Sequence, residues 1–330
     1  MFRRLDDKRP FDLVHSESTS AIALVRHGVH RRVPLVTKFH GSGIAHAGAH
    51  LRRFRSGGPR AKVREVKGLI WMLGVWFQSD QVYRFRPCIW MVPSRQEFDS
   101  TRRSHFLKRD LGYVVPNGID TSVFTPRSRE SSRTELGLDD LPLFVCAGRL
   151  DMSKGTRHAI RALALLRDRG CRARLAILGS GPDREALEAL TRELGVEQGV
   201  LFTGPQPHHV LTRYLTAADA FLFPSELNEA APQAPLQALA CGTPLIASRV
   251  GSVPELVDRP GENGLLVTAG DPESLASAME HLLRDAKLWE RLSRSGLARV
   301  RGEYTLEAMI ERTVAVYEIA SKRLRSGRAE

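Results

Sequence analysis

Two short segments carry the residues best suited to chemistry. In the first, Gly148-Arg149 and Lys154-Gly155 frame a loop that follows the apolar run LFVCA and precedes a helix opening near Thr156. The N-terminus of such a helix presents free backbone N–H groups and a partial positive charge to an anion. Arg149 can grip two phosphate oxygens at once, and Lys154 adds a point charge. A Walker loop is excluded, because no Gly-Lys-Ser/Thr stands at the required spacing. The competing reading is a pair of surface cations beside a tight turn. In the second segment Glu229 lies in a loop after the run AFLFPS, at the carboxyl end of a strand, where parallel α/β sheets place their ligands. Ala230 and Ala231 leave room for backbone approach, and Gln237, on the next helix, offers an amide to a hydroxyl. A lone loop glutamate is ordinarily solvated. Its company gives it meaning, since cations for a diphosphate beside an acid for sugar hydroxyls describe a nucleotide-sugar site.

Weaker signals lie around these two. Gly179-Ser180-Gly181-Pro182 follows the run RLAIL and would let a base or phosphate approach the backbone, though short glycine turns after strands are common. In the first half of the chain His40 ends the run LVTKFH. It is readable either as a cleft-facing proton acceptor or as a structural histidine bonded to a carbonyl. His15, ending FDLVH, carries the same two readings with less weight.

These residues need a scaffold of alternating strands and helices, and the chain supplies one. Expected strands in the first half are 11–15, 35–39, 88–92 and 113–115. The second half adds 143–147, 174–178, 200–203, 220–223, 244–247 and 264–267. Helices are expected over 155–169, 183–194, 209–218, 235–240, 272–284, 287–301 and 306–324. Near-continuous apolar strands separated by amphipathic stretches indicate parallel α/β layers. The polar stretch RSRESSRTELGLDD after Pro126 reads as a linker. A chain of 330 residues suits two domains rather than one core.

Charge divides unevenly. Residues 1–126 hold 22 Lys and Arg against 10 Asp and Glu, so the whole net charge of +12 falls there. That asymmetry points to an anionic partner, and no recognition motif accompanies it to suggest nucleic acid. The basic run 51–67 leads into GLIWMLGVWF at 68–77, about half the length that spans a bilayer, and either an interfacial segment or a buried helix fits it. No signal peptide is read at the start. Four scattered cysteines without a Cys-x-x-Cys indicate neither zinc nor a disulfide framework. The expected location is the cytoplasm, with peripheral attachment at the inner face of the plasma membrane.

An ordered series of motifs resembles the retaining glycosyltransferases of family 4, which have the GT-B fold. The series runs DLVH at 12–15, VTKFHG at 36–41, VPNGID at 115–120, Phe124 of VFTP, AGRLDMSKG at 147–155 and ILGSGPDREAL at 177–187. It continues with FTG at 202–204, FPSELNEAAPQAPLQALACGTPLIAS at 223–248, VGSVPELV at 250–257 and NGLLV at 263–267. The resemblance implies two Rossmann-like domains with parallel sheets facing across a cleft. Residues 1–126 would form an acceptor-side domain, 127–140 a linker and 141–303 the nucleotide-sugar domain, with a helix at 304–330 returning to the first domain. It implies a nucleotide-diphosphate sugar as co-substrate, no metal and no other cofactor. Arg149 and Lys154 would hold the diphosphate, Glu229 and His40 would be catalytic, and Gly148, Gly179, Gly181, Ala230, Ala231 and Gln237 would line the donor site. The acceptor is expected to be a lipid or cell-envelope glycan. Two departures stand out: Gln237 replaces the second glutamate of the family's Glu-x7-Glu pair, and no counterpart of the opening strand and glycine-rich loop precedes Phe11. The alternative is therefore a nucleotide-sugar-binding remnant without turnover, with a sugar-nucleotide epimerase as a weaker rival.

Overall fold

The structure is a computed structural model that describes residues 11–17, 24–25, 27–40, 66, 70, 88–104, 107–257, 259 and 261–326. The basic run 51–67 and the apolar stretch 68–77 lie outside the described residues, Val66 and Ile70 excepted. The chain divides into two units, Met1–Pro116 with Met309–Glu330, and Asn117–Ala308.

In the first unit, β1 (Val14–Glu17), β2 (Leu35–Lys38), β3 (Ile89–Val92) and β4 (Gly112–Val114) form a parallel sheet in the order β1-β2-β3-β4. Helix α1 (Arg95–Ser104) follows β3. The first strand lies three residues later than the apolar run 11–15 suggests. Phe11 is 39% exposed, whereas Ser16 is buried, and Val14 N–H donates to the Pro34 carbonyl to set the register. His15 is therefore inside the strand rather than at its end.

The first helix of the second unit is α2 (Arg129–Glu135), inside the stretch expected to be a linker. Ser128 caps it by accepting from Ser131 N–H, and Arg133 donates to the carbonyls of Ala217 and Leu141. The boundary also falls earlier than residue 126. Ile119 and Phe124 are buried in the core of this unit, and Ile119 is bracketed by backbone bonds to Tyr304 and Leu306.

Six strands follow: β5 (Leu143–Ala147), β6 (Arg174–Leu178), β7 (Val200–Gly204), β8 (Ala220–Phe223), β9 (Leu245–Ser248) and β10 (Leu265–Val267). Between them run α3 (Thr156–Asp168), α4 (Arg184–Glu193), α5 (His208–Ala217), α6 (Gln233–Ala240) and the short α7 (Val253–Leu256). The strands pair in parallel in the order β10-β9-β8-β5-β6-β7. Every residue of β8 and β9 is buried, as their unbroken apolar sequences require. Helices α8 (Pro272–Arg284) and α9 (Ala286–Glu303) follow, and α10 (Leu306–Ser326) begins in this unit and continues in the first, where Val316 and Ala320 enter its core.

That strand order decides where a ligand belongs. Connections leave β5 toward β6 on one side and reach β8 on the other, so the winding reverses between β5 and β8. Doubly wound sheets bind ligands in the crevice outside the carboxyl ends of the strands at this reversal. The loop after β5 carries Arg149 and Lys154, and the loop after β8 carries Glu229.

Candidate donor-binding site

The two loops meet through their backbones. Ser153 carbonyl accepts from Glu226 N–H at 2.9 Å and from Ser225 Oγ at 3.3 Å. Gly155 sits at φ 68°, and a Cβ added there would lie 1.9 Å from the Pro224 carbonyl oxygen. Only glycine allows that approach. Gly155 is also the N-terminal cap of α3 and supplies no side-chain acceptor; His158 N–H turns back to the Gly155 carbonyl at 2.8 Å, and the Thr156 and Arg157 amides ahead of it are left for an anion.

A pocket of about 380 Å³ opens here, lined by Gly148, Arg149, Lys154, Thr156, Glu229 and Gln233 among others. Glu229 is well shielded, its side chain 13% exposed. Its Oε1 accepts from Lys154 Nζ at 2.7 Å and from Ser225 Oγ at 2.7 Å. Among the described residues Oε2 has no hydrogen bond. Lys154 is 34% exposed and keeps donors beyond the one spent on Glu229. Arg149 is 71% exposed, and among the described residues its one ion pair is a 3.5 Å contact with Asp151.

A second pocket of about 690 Å³ adjoins the first and shares Ala147, Gly148, Arg149, Gln233 and Ala234 with it. Its distinctive residues are Gly179, Gly181, Gln206 and Gln237. Its polar side chains are Arg149, Ser180 and three amides, with no carboxylate. The charged groups thus face one end of the site and the neutral amides the other.

The expected residues separate accordingly. Gly148, Arg149, Lys154 and Glu229 come together in the smaller pocket, and Gly179, Gly181 and Gln237 line the larger. Ala230 and Ala231 line neither. The glycines differ in their reasons. A Cβ at Gly179 would meet the Gly148 carbonyl at 1.9 Å, and one at Gly181 the Leu150 carbonyl at 2.1 Å, so neighbouring backbone already requires both. A Cβ at Gly148 would meet nothing within 4 Å, leaving open space for a ligand at a φ of 145°. Helix α6 starts at Gln233 rather than at Pro235. Ser225 and Gln233 were not singled out from the sequence; the signal for the first is a hydroxyl two residues past the buried strand β8 and four before the acid.

His40 lies in the first unit, exposed, with its Nε2 bonded to Glu17 Oε2. Next to it His15 Nε2 is 3.5 Å from Glu17 Oε1, and His15 Nδ1 bonds the Tyr317 hydroxyl. Burial holds the His15 imidazole below its ordinary 6.5; Glu17 opposes this, and the charges of Lys38 and His40 add to it. Burial likewise lowers Lys38.

The model of the family Glycosyl transferases group 1 matches residues 128–299, more than half of the 330 residues. The chain belongs to that family. A model named Glycosyltransferase Family 4 matches residues 1–123 of this group 1 chain. Among curated relatives, the D-inositol 3-phosphate glycosyltransferase of Corynebacterium jeikeium is 39% identical over 186 residues, covering 53% of this chain and 44% of that protein. The GDP-mannose-dependent alpha-(1-6)-phosphatidylinositol monomannoside mannosyltransferase of Mycolicibacterium smegmatis is 36% identical over 181 residues, covering 52% and 47%. The chain spans about half the length of the curated relatives it matches. Among solved structures, sucrose-phosphate synthase from Thermosynechococcus elongatus superposes with a TM-score of 0.77 at 24% identity, covering 96% of this chain and 75% of that one. Anabaena Alr3699/HepE, solved with UDP and glucose, gives 0.74 at 18% identity, covering 98% and 81%. At these identities the likeness establishes the fold, α/β with two sets of parallel sheets as in GT-B glycosyltransferases.

Proposed function

We propose that this protein transfers a sugar, with retention of anomeric configuration and without a metal ion, from a nucleotide-diphosphate sugar to a hydroxyl of a lipid or cell-envelope glycan acceptor. The observation that carries the reading is the gathering of Arg149, Lys154, Glu229 and the uncapped N-terminus of α3 around one pocket at the winding reversal. The diphosphate lies against the cations and helix amides. As the bond from the anomeric carbon to phosphate breaks, the charge gathering on the leaving oxygen is held by groups already in place. The free Oε2 of Glu229 accepts from a sugar hydroxyl. The nucleoside extends into the amide-lined pocket, where Gln237 offers both a donor and an acceptor.

The relatives support an acceptor that carries an inositol group, since one is named for inositol 3-phosphate and another for a phosphatidylinositol mannoside. The basic N-terminal half supports a membrane-facing position at the inner face of the plasma membrane. Among the described residues no helix is long and apolar enough to cross a membrane. Incubation with UDP-, GDP- and ADP-sugars, with and without EDTA, tests the donor, with product configuration read by NMR. Retained product in EDTA is expected. Absence of both transfer and donor hydrolysis across the panel overturns the reading. Binding to anionic vesicles should fall when Arg52, Arg53 and Arg55 are changed to Glu, and unchanged binding removes the membrane arm.

A further inference from the structure

Behind the Lys154–Glu229 pair stands a second polar cluster, formed by Arg157, His158 and Glu226. His158, on the first turn of α3, has a side chain 8% exposed, and its Nε2 is 2.6 Å from Glu226 Oε1. The same oxygen takes Arg157 Nη2 at 2.5 Å. His158 Nδ1 is buried without a hydrogen-bond partner. An N–H buried there would lack an acceptor, so the geometry selects the tautomer whose Nε2–H donates to Glu226. Glu226 is fixed at its backbone as well, where its N–H donates to Ser153 carbonyl at 2.9 Å. Three residues further on stands Glu229.

We infer that His158 and Glu226 form a latch that positions Glu229 for the donor sugar. The latch pins the start of the 225–229 loop to α3 through its side chain and to the 152–154 turn through its backbone. Ser225, in the same segment, is thereby held where its Oγ reaches Glu229 Oε1. With Lys154 on the same oxygen, the carboxylate has one orientation, and Oε2 is the atom left to bind. Without the latch Glu229 keeps its charge but loses that orientation. A loop carrying a recognition residue between two strand ends needs such support, because geometry errors of an ångström cost much of the binding. His158 and Glu226 are positioning residues, since neither lines either pocket.

This inference rests on the proposed donor site, and its test is built so that the two can fail separately. Full-length wild type, His158→Leu, His158→Gln, Glu226→Ala and Glu229→Ala are compared by amide hydrogen exchange and by titration with UDP, UDP-glucose, GDP and GDP-mannose. In His158→Leu and Glu226→Ala the amides of 225–229 should exchange roughly 10- to 100-fold faster, the scale of one lost charge-assisted bond, while those of β5 and β6 keep their protection. Affinity for the free nucleoside diphosphates should be unchanged, and the added affinity contributed by the sugar should be lost as in Glu229→Ala. Combining His158→Leu with Glu229→Ala should cost nothing further. His158→Gln, which restores a donor near the Nε2 position, should recover most of the loss. Unchanged exchange at 225–229 in His158→Leu overturns the latch, as does a Gln variant no better than Leu. If wild type binds none of the four probes, nor ADP or ADP-glucose, the donor reading falls, and the exchange measurement still decides the latch.

Discussion

Lys154 and Arg149 look equivalent in the sequence, but their surroundings differ. Lys154 donates to Glu229 at 2.7 Å and is two-thirds shielded, while Arg149 is 71% exposed with one long contact to Asp151. Replacing Lys154 removes a cation from the proposed diphosphate site and one of two bonds to the Glu229 carboxylate. Replacing Arg149 removes a cation alone. Lys154→Ala should therefore lower donor-dependent kcat/KM by about 10²–10³-fold, the cost of losing a preorganised charge contact, and Arg149→Ala by less. Steady-state kinetics with a single donor checks the order, and an Arg149 variant that is the more damaged contradicts it. The cation loop and the acid were legible because their chemistry is written in residue type next to glycines and strand ends. The Glu226–His158 contact was not, because its partners lie 68 positions apart and each alone reads as an ordinary surface or core residue.

The elements show a similar division. Strands β5, β6 and β8 stand where their apolar runs predict, since a strand buried on both faces leaves little ambiguity. Helix α2 was hidden because its sequence RESSRTE is wholly polar, and its stability comes from the Ser128 cap and from Arg129 and Arg133 reaching Asp219 and Ala217. Ser128→Ala should cost about 1 kcal/mol in urea unfolding. Gly155 belongs to this scale too, because it decides how closely the β5 and β8 loops approach. Gly155→Ala puts a side chain into a left-handed conformation and into the Pro224 carbonyl. The strained backbone alone costs about 1–3 kcal/mol. Gly148→Ala meets no neighbour, so its cost to stability is strain only, whereas its Cβ enters the pocket. The expected pattern is that Gly155→Ala lowers the urea midpoint more, while Gly148→Ala abolishes nucleotide binding in a protein that still folds cooperatively. Equal midpoints would mean that the loops separate freely.

At the scale of the molecule, the two units have separate cores. The second unit is built on two hydrophobic clusters around its six-stranded sheet. Among the described residues the first has one smaller cluster and, beside it, a group of His15 within β1, Glu17 and Lys38 ending β1 and β2, and His40, with Tyr317 of α10. His15 titrates below 6.5 in the folded state chiefly because burial penalises its charged form. In the unfolded chain the same imidazole titrates near the ordinary 6.5. Below that pH the unfolded state takes up the proton first, so stability is lost as pH falls from 6.5 toward the folded value. Above 6.5 both states are neutral at this site, and its contribution no longer changes. His15→Gln removes this titration while keeping a polar side chain of comparable reach. The variant should therefore lose less stability than wild type between neutral pH and pH 5, as read from urea midpoints of amide hydrogen exchange at β2 and β3 in the first unit. A wild-type midpoint that rises on acidification would show that the charge on Glu17 outweighs burial and reverse the sign.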